Sequence, residues 1–225
     1  MEKRIVNEQD AGISQLINRR ILLIAGIIAP LGVFGSLAED IVEKERFSFD
    51  NPTLLFLHGH SSAFMDSIMT VVTDAGSGPV LFTLCILLAA ILLAQHNRSG
   101  AAYVATCLTG SALLNQACKH LFARARPELW LSSLPETSFS FPSGHAMNSI
   151  AMCAALVIVL WPSKWRLAVL SCSAVFVLLV GISRLYWGVH YPSDIVAGWA
   201  CGIAWVCSVK YVFDWRDAGN GAYPR

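Results

Sequence analysis

The sequence predicts an all-α integral membrane bundle of six transmembrane helices, with both termini cytoplasmic and an interfacial helix between the first two spans. Three observations predict it. The 225 residues are 55% hydrophobic and only 14% charged, whereas soluble domains carry about 25% charged residues. Six apolar runs approach the ~20 residues that a spanning helix needs. Lysine and arginine gather in alternate connections between those runs. The length suits a single membrane-embedded domain over 1–225.

The first run, 21–38, follows a mixed, polar segment over 1–20 that ends in Arg19–Arg20. No small-residue cleavage site follows it, and Glu39–Asp40 come instead, so the run is expected to be a retained anchor rather than a signal peptide. The next segment, 39–78, begins with strong charge from Glu39 to Arg46. Its apolar residues Leu54, Leu55, Leu57, Phe64, Met65, Ile68, Met69 and Val72 have partly helical spacing. That spacing predicts an amphipathic helix at the interface, with a packed connection as the plainer alternative. The second run, 79–94, is short and is expected to borrow residues from 75–78 or to tilt. The remaining runs lie at 101–122, 143–161, 167–186 and 194–213, followed by a tail over 214–225.

Lys3, Arg4, Arg19 and Arg20, then Arg98, then Lys164 and Arg166, then Lys210, Arg216 and Arg225 all fall on one side of a six-helix path. That side is expected to be cytoplasmic. The 39–78 segment, the 123–142 loop and the 187–193 turn then face the periplasm or exterior. Several tryptophans (Trp130, Trp161, Trp165, Trp187 and Trp215) mark run ends, as an aromatic belt does. Gly198, Ala200, Gly202 and Ala204 suit close helix packing on the last run. The seven cysteines are odd in number, lie in or beside apolar runs and show no CxxC spacing. They are expected to be packing residues, with no disulfide framework and no zinc site. A net charge of +1 without a basic block gives no reason to expect a nucleic-acid partner.

Three polar clusters interrupt this apolar chain, and all fall on the expected outer side. In the first, Lys119 and Arg126 are seven residues apart, nearly two helical turns, and share a side about 10 Å apart, so they can grip one phosphate only if the chain bends near Arg126. Pro127 is expected to end that helix. Arg124 is assigned to lipid headgroup contact or to no role. The second is Pro142-Ser143-Gly144-His145. Pro suits a first helical position, and the free N–H groups of a helix start bind anions. Ser143 adds a hydroxyl, Gly144 admits close approach, and His145 could protonate a leaving oxygen. The third is Ser183-Arg184, then His190, then Asp194. Pro192 is expected to open the last helix, which puts Asp194 in its first turn. Asp194 could accept the N–H of one His190 nitrogen and leave the other free to attack phosphorus.

Each cluster alone has an ordinary reading: snorkelling cations, a helix start, a structural ion pair. Their order, spacing and common face point instead to a site for phosphate esters. In these residues the chain resembles the type 2 phosphatidic acid phosphatase superfamily. That family's three-part signature, KxxxxxxRP, PSGH and SRxxxxxHxxxD, is filled at every position between Lys119 and Asp194.

The resemblance implies a membrane lipid phosphatase. His190 would be the nucleophile that forms a phosphohistidine, and Asp194 would orient it. His145 would protonate the departing group and then activate water. Lys119, Arg126, Ser143, Gly144 and Arg184 would hold the phosphate. The family works without metal or other cofactor. Its soluble haloperoxidase branch lacks the six apolar spans. The partners implied are a lipid phosphate and the bilayer. Undecaprenyl diphosphate, phosphatidylglycerol phosphate, phosphatidic acid and a lipid A phosphate all stay open as substrates. A phosphohistidine also permits transfer to a second lipid, so a lipid-to-lipid phosphotransferase is the alternative. A phospholipid transporter is disfavoured because the charges sit at one face and not deep in the bundle. His58 and His60 suggest a metal pair, with Asp66 nearby, but no third ligand is clearly placed, and a loop or interfacial role is expected instead.

Overall fold

A computed structural model describes residues 2–45, 47–130, 134 and 136–219, without the side chains of 2–19 and 218–219. The described residues form eight helices and no strand. They are α1 (Glu2–Val42), α2 (Asp50–Gly59), α3 (Ala63–Ala75), α4 (Gly78–Ala94), α5 (Arg98–Phe122), α6 (Gly144–Leu160), α7 (Arg166–Tyr186) and α8 (Pro192–Gly219). The side chains of Lys3, Arg4, Arg19 and Arg225, which entered the orientation argument, lie outside the described residues.

The all-helical expectation holds. By length and composition, three helices could cross a membrane: α1 over Arg20–Val42, α7, and α8 over Pro192–Asp217. The pair α3–α4, bent by 48° at its break, makes a fourth if taken as one span. The remaining two expected spans are weaker in these terms. Helix α6 is apolar but has 17 residues. Helix α5 has 25 residues but turns Ser111, Asn115 and Lys119 inward, where all three are buried. Its polarity is therefore spent on the bundle interior.

The 39–78 segment differs from the single interfacial helix expected. It forms two helices broken at 60–62, where Ser62 caps α3 by accepting the Met65 N–H at 3.3 Å. Both pack on the bundle: α2 on α7 and α8, α3 on α7. Leu54 and Met69 are buried there. At the α3–α4 break Gly76 lies against Val180 of α7, where a Cβ would come within 2.6 Å. Pro79 then restarts the chain in the first turn of α4, as suits a residue with no N–H to lose.

The core lies among α4, α5, α6 and α8, built from Leu81, Val104, Leu108, Ala151, Ala155 and Val206. Helix α6 touches α4, α5, α7 and α8, while α1 runs along α8. The expected close packing of α8 is present at Gly198 and Gly202. A Cβ there would meet the carbonyls of Ser143 and Met147 on α6 at 2.8 and 2.9 Å. The α6 N-terminus is thereby pressed against the first turns of α8. Outer faces remain apolar, with Leu22, Ile28, Ile86, Leu87, Leu167 and Leu178 exposed. Such a surface suits lipid and not water.

Candidate active site

Four segments meet at one end of the bundle: the end of α5 with the 123–142 loop, the start of α6, the end of α7, and the turn into α8. Helix α5 stops at Phe122, earlier than Pro127. Ala123 adopts a left-handed conformation (φ 45°), and its N–H bonds the Lys119 carbonyl at 2.9 Å. The chain therefore leaves the helix four residues before Arg126. This early exit lets Lys119 and Arg126 converge, where a continued helix would hold them apart. Both donate to the Ser138 hydroxyl, at 2.8 and 3.1 Å.

At α6 the expected first helical proline is instead outside the helix. Ser143 is the N-cap, its hydroxyl accepting the Ala146 N–H at 3.5 Å. Its backbone N–H donates to the Asp194 carbonyl at 3.1 Å, which ties the α6 start to α8. Gly144 faces Asn115, whose Oδ1 would stand 3.0 Å from an added Cβ. Asn115 in turn donates to the Pro142 carbonyl at 3.0 Å. His145 opens α6 half-buried, within electrostatic reach of Arg184, His190, Lys119 and Arg126.

Pro192 does open α8, and Asp194 lies in its first turn. Tyr191 is the residue before it. Its N–H donates to Asp194 Oδ2 at 2.8 Å, while its carbonyl accepts the Asp194 N–H at 3.0 Å. This reciprocal pair resembles a capping box. Asp194 Oδ2 also accepts the Ser140 hydroxyl and lies 3.4 Å from His190 Nδ1. His190 Nε2 faces Arg126 Nη1 at 3.2 Å. Because a guanidinium only donates, Nε2 carries the lone pair and Nδ1 the proton. Burial drives the His190 pKa down most strongly, Asp194 opposes, and Arg126 and Arg184 add to the fall, to about 4. The imidazole is thus neutral at ordinary pH.

Between the cations sits Glu136, which sequence reasoning did not single out. One carboxylate oxygen pairs with Arg184 Nη2, and the other lies 3.3 Å from Arg126 Nη2. Burial works to raise the Glu136 carboxyl, but the Arg184 and Arg126 charges outweigh it and hold it below the usual range. Arg184 is 2% exposed and also donates to Thr73 of α3 at 2.7 Å. A pocket of about 460 Å³ abuts this group, lined by Arg126, Pro127, Trp130, Leu134, Glu136 and Val189.

All eight expected site residues are therefore brought to one end of the bundle. Arg124, expected to touch headgroups or nothing, instead binds Asp194 Oδ1 at 2.5 Å and Asp50 at 2.9 Å. Asp50, Thr73, Asn115, Glu136, Ser138 and Ser140 were missed. The serines and Glu136 lie in the 123–142 loop, which carries no periodicity to place them. The carboxylate of Asp50 could have been suspected only from its partner. His58 stacks on Trp130 with ring centroids 4.1 Å apart. His60 Nδ1 bonds the Phe56 carbonyl at 2.8 Å, and Asp66 accepts the Tyr186 hydroxyl. These three residues serve the connecting segment.

A phosphatidylglycerophosphatase B from Bacillus subtilis is 30% identical over 152 residues, spanning 65% of this chain and 74% of the relative. An undecaprenyl-diphosphatase from Sulfolobus acidocaldarius is 26% identical, over 72% and 77% of the two chains. The crystal structure of a transmembrane PAP2 type phosphatidylglycerolphosphate phosphatase from Bacillus subtilis superposes with a TM-score of 0.76 at 27% identity, covering 85% of this chain and 97% of that one. The family model for the PAP2 superfamily matches residues 100–218, the stretch that holds every expected site residue, and the chain belongs to that superfamily.

Proposed function

We propose that the protein is a lipid phosphatase of the cytoplasmic membrane, acting on a lipid phosphate monoester or diphosphate through a phosphohistidine. One observation carries the reading: His190 is held between Asp194 at Nδ1 and Arg126 at Nε2, with two arginines already converging on an anion, the Glu136 carboxylate.

On this reading the phosphate takes the place of Glu136 between Arg126 and Arg184. Lys119, the Ser143 hydroxyl and the N–H groups at the α6 start complete the cradle, with Gly144 keeping the backbone approachable. His190 Nε2 attacks phosphorus in line, and the bond to the leaving oxygen breaks. His145 gives that oxygen a proton. Asp194 stabilises the growing positive charge on the imidazole, as the carboxylate of a catalytic triad does. His145 then takes a proton from water, whose oxygen displaces Nε2 and releases inorganic phosphate. The cations stabilise the charge that spreads over the equatorial oxygens. No step calls for a metal ion.

The proposed topology is six spans, with α5 and α6 crossing as well, and the site at the periplasmic or outer face. Similarity to phosphatases of phosphatidylglycerophosphate and of undecaprenyl diphosphate supports a lipid phosphate as substrate. The test is phosphate release by the purified protein across a panel of lipid phosphates and diphosphates, with His190→Ala as control. Release from at least one, lost in the variant and retained in EDTA, is expected. Silence across the panel, or dependence on added metal, would refute the proposal.

A further inference from the structure

Asp50 lies at the start of α2, 143 residues from Ser193 in sequence, yet its carboxylate is buried against the first turn of α8. Its Oδ1 accepts the Ser193 N–H at 3.0 Å, and Oδ2 accepts the Ser193 hydroxyl at 2.7 Å. Oδ2 also accepts Arg124 Nη2 at 2.9 Å. The other terminal nitrogen of Arg124, Nη1, reaches Asp194 Oδ1 at 2.5 Å and the Ser193 hydroxyl at 2.8 Å. The Tyr191 ring covers this guanidinium at 4.3 Å. Asp50, Ser193 and Asp194 are each at most 4% exposed.

Two physical demands meet here. A helix start leaves N–H groups without partners. Asp194 satisfies that of Tyr191, and Asp50 supplies from another segment the acceptor for Ser193. The turn that carries Asp194 is thus held from both sides. Second, a buried carboxylate needs a fixed counter-charge. Arg124 provides it on Oδ1, while Oδ2 serves Ser140 and the His190 imidazole. A guanidinium is a planar fork. With Asp50 holding one tine, the other is aimed at Asp194. A lysine offers one charged point and cannot bridge both.

We propose that Asp50 and Arg124 are positioning residues for phosphoryl transfer, which together fix the Asp194 carboxylate against the His190 imidazole. The proposal rests on the reading of His190 as nucleophile. It assigns the 39–78 segment a task in the reaction itself, since that segment delivers Asp50.

The test uses the full-length protein purified in detergent. Activity of the parent and its loss in His190→Ala check the underlying reading first, independently of the Asp50 and Arg124 variants. Asp50→Asn, which keeps shape and removes charge, should lower kcat on the order of 10-fold, and Arg124→Ala on the order of 100-fold, with KM within about threefold. The acid limb of kcat should move to higher pH in Arg124→Ala, because an uncompensated Asp194 takes a proton more readily. Added guanidinium ion should restore part of that kcat, whereas sodium chloride should not. Arg124→Lys should keep the acid limb near its parent position yet recover only part of kcat. The proposal fails if either variant, folded by thermal unfolding, keeps kcat within about twofold. It fails equally if the loss lies in KM with an unmoved acid limb and no rescue, which would make Arg124 a phosphate contact. Should Arg124→Ala not fold, the kcat and KM of Asp50→Asn decide alone.

Discussion

Arg126 Nη1 stands 3.2 Å from His190 Nε2, so a fixed cation faces the lone pair that the proposed reaction needs. Such contact adds to the burial that keeps the imidazole neutral. It also places the guanidinium where it meets a phosphate oxygen once phosphorus approaches Nε2. Burial is the larger cause of the low His190 pKa of about 4, with Arg126 and Arg184 adding to it.

Stability should depend on pH for the same reason. Folded His190 stays neutral down to about pH 4, whereas an unfolded histidine binds its proton near pH 6.5. Between these values the unfolded chain holds more protons, so stability falls as pH drops through the window. His190→Gln should remove part of that slope. Thermal unfolding in detergent between pH 4.5 and 7, taken about half a unit apart, checks it; identical slopes in parent and variant would count against the neutral, buried imidazole.

Glu136 occupies the two arginines that the proposal gives to phosphate. Its removal as a charge, by Glu136→Gln, should make vanadate or inorganic phosphate bind more tightly, by roughly 3- to 30-fold, as expected for losing a competing ion pair at a partly exposed site. Inhibition constants report it. Unchanged or weaker inhibition would mean that the carboxylate and the anion do not share the place.

His145 is assigned the leaving-group proton. His145→Ala should therefore lose more activity on an alkyl phosphate than on p-nitrophenyl phosphate, whose leaving group needs little protonation, by about 10²-fold or more. Rapid mixing of the variant with p-nitrophenyl phosphate should also show a burst of nitrophenolate, because water activation is impaired in the second half-reaction. Equal losses on both substrates would remove the acid role.

Gly188 has φ +65°, and a Cβ on it would lie 2.4 Å from the Trp130 ring. Trp130 stacks in turn on His58, which joins α2, the 123–142 loop and the turn before His190. Gly188→Ala should cost about 1–3 kcal/mol through strain and displaced packing and should lower kcat by shifting His190. Thermal unfolding and kinetics measured together check it.

Much of this was legible in the sequence because the clusters lie at helix ends, where local rules are strong. Pro192 opens α8 and puts Asp194 in its first turn, as an N-terminal proline and a first-turn carboxylate require. The small residues Gly198 and Gly202 do admit α6 closely. The misplaced features have physical reasons too. Lys119 and Arg126 look like one helical face until the left-handed Ala123 ends α5 early. One interfacial helix became two because Ser62 offers a second N-cap within the same apolar pattern. Asp50, Arg124 and Glu136 act through contacts across 143, 70 and 48 residues, and no local pattern announces a partner so distant. For the same reason α5 hid its polar interior face: Ser111 and Asn115 are inward because Asn148 and Met147 of α6 lie there to receive them.

The central claim is that His190 forms a covalent bond to phosphorus. The most direct measurement is rapid quenching of the purified protein with a substrate carrying radioactive phosphate, followed by separation under alkaline conditions that preserve phosphohistidine. The account predicts a labelled band in the parent, stable to base and lost in acid, and absent in His190→Ala. Label that survives acid, label retained in His190→Ala, or turnover in that variant would contradict it.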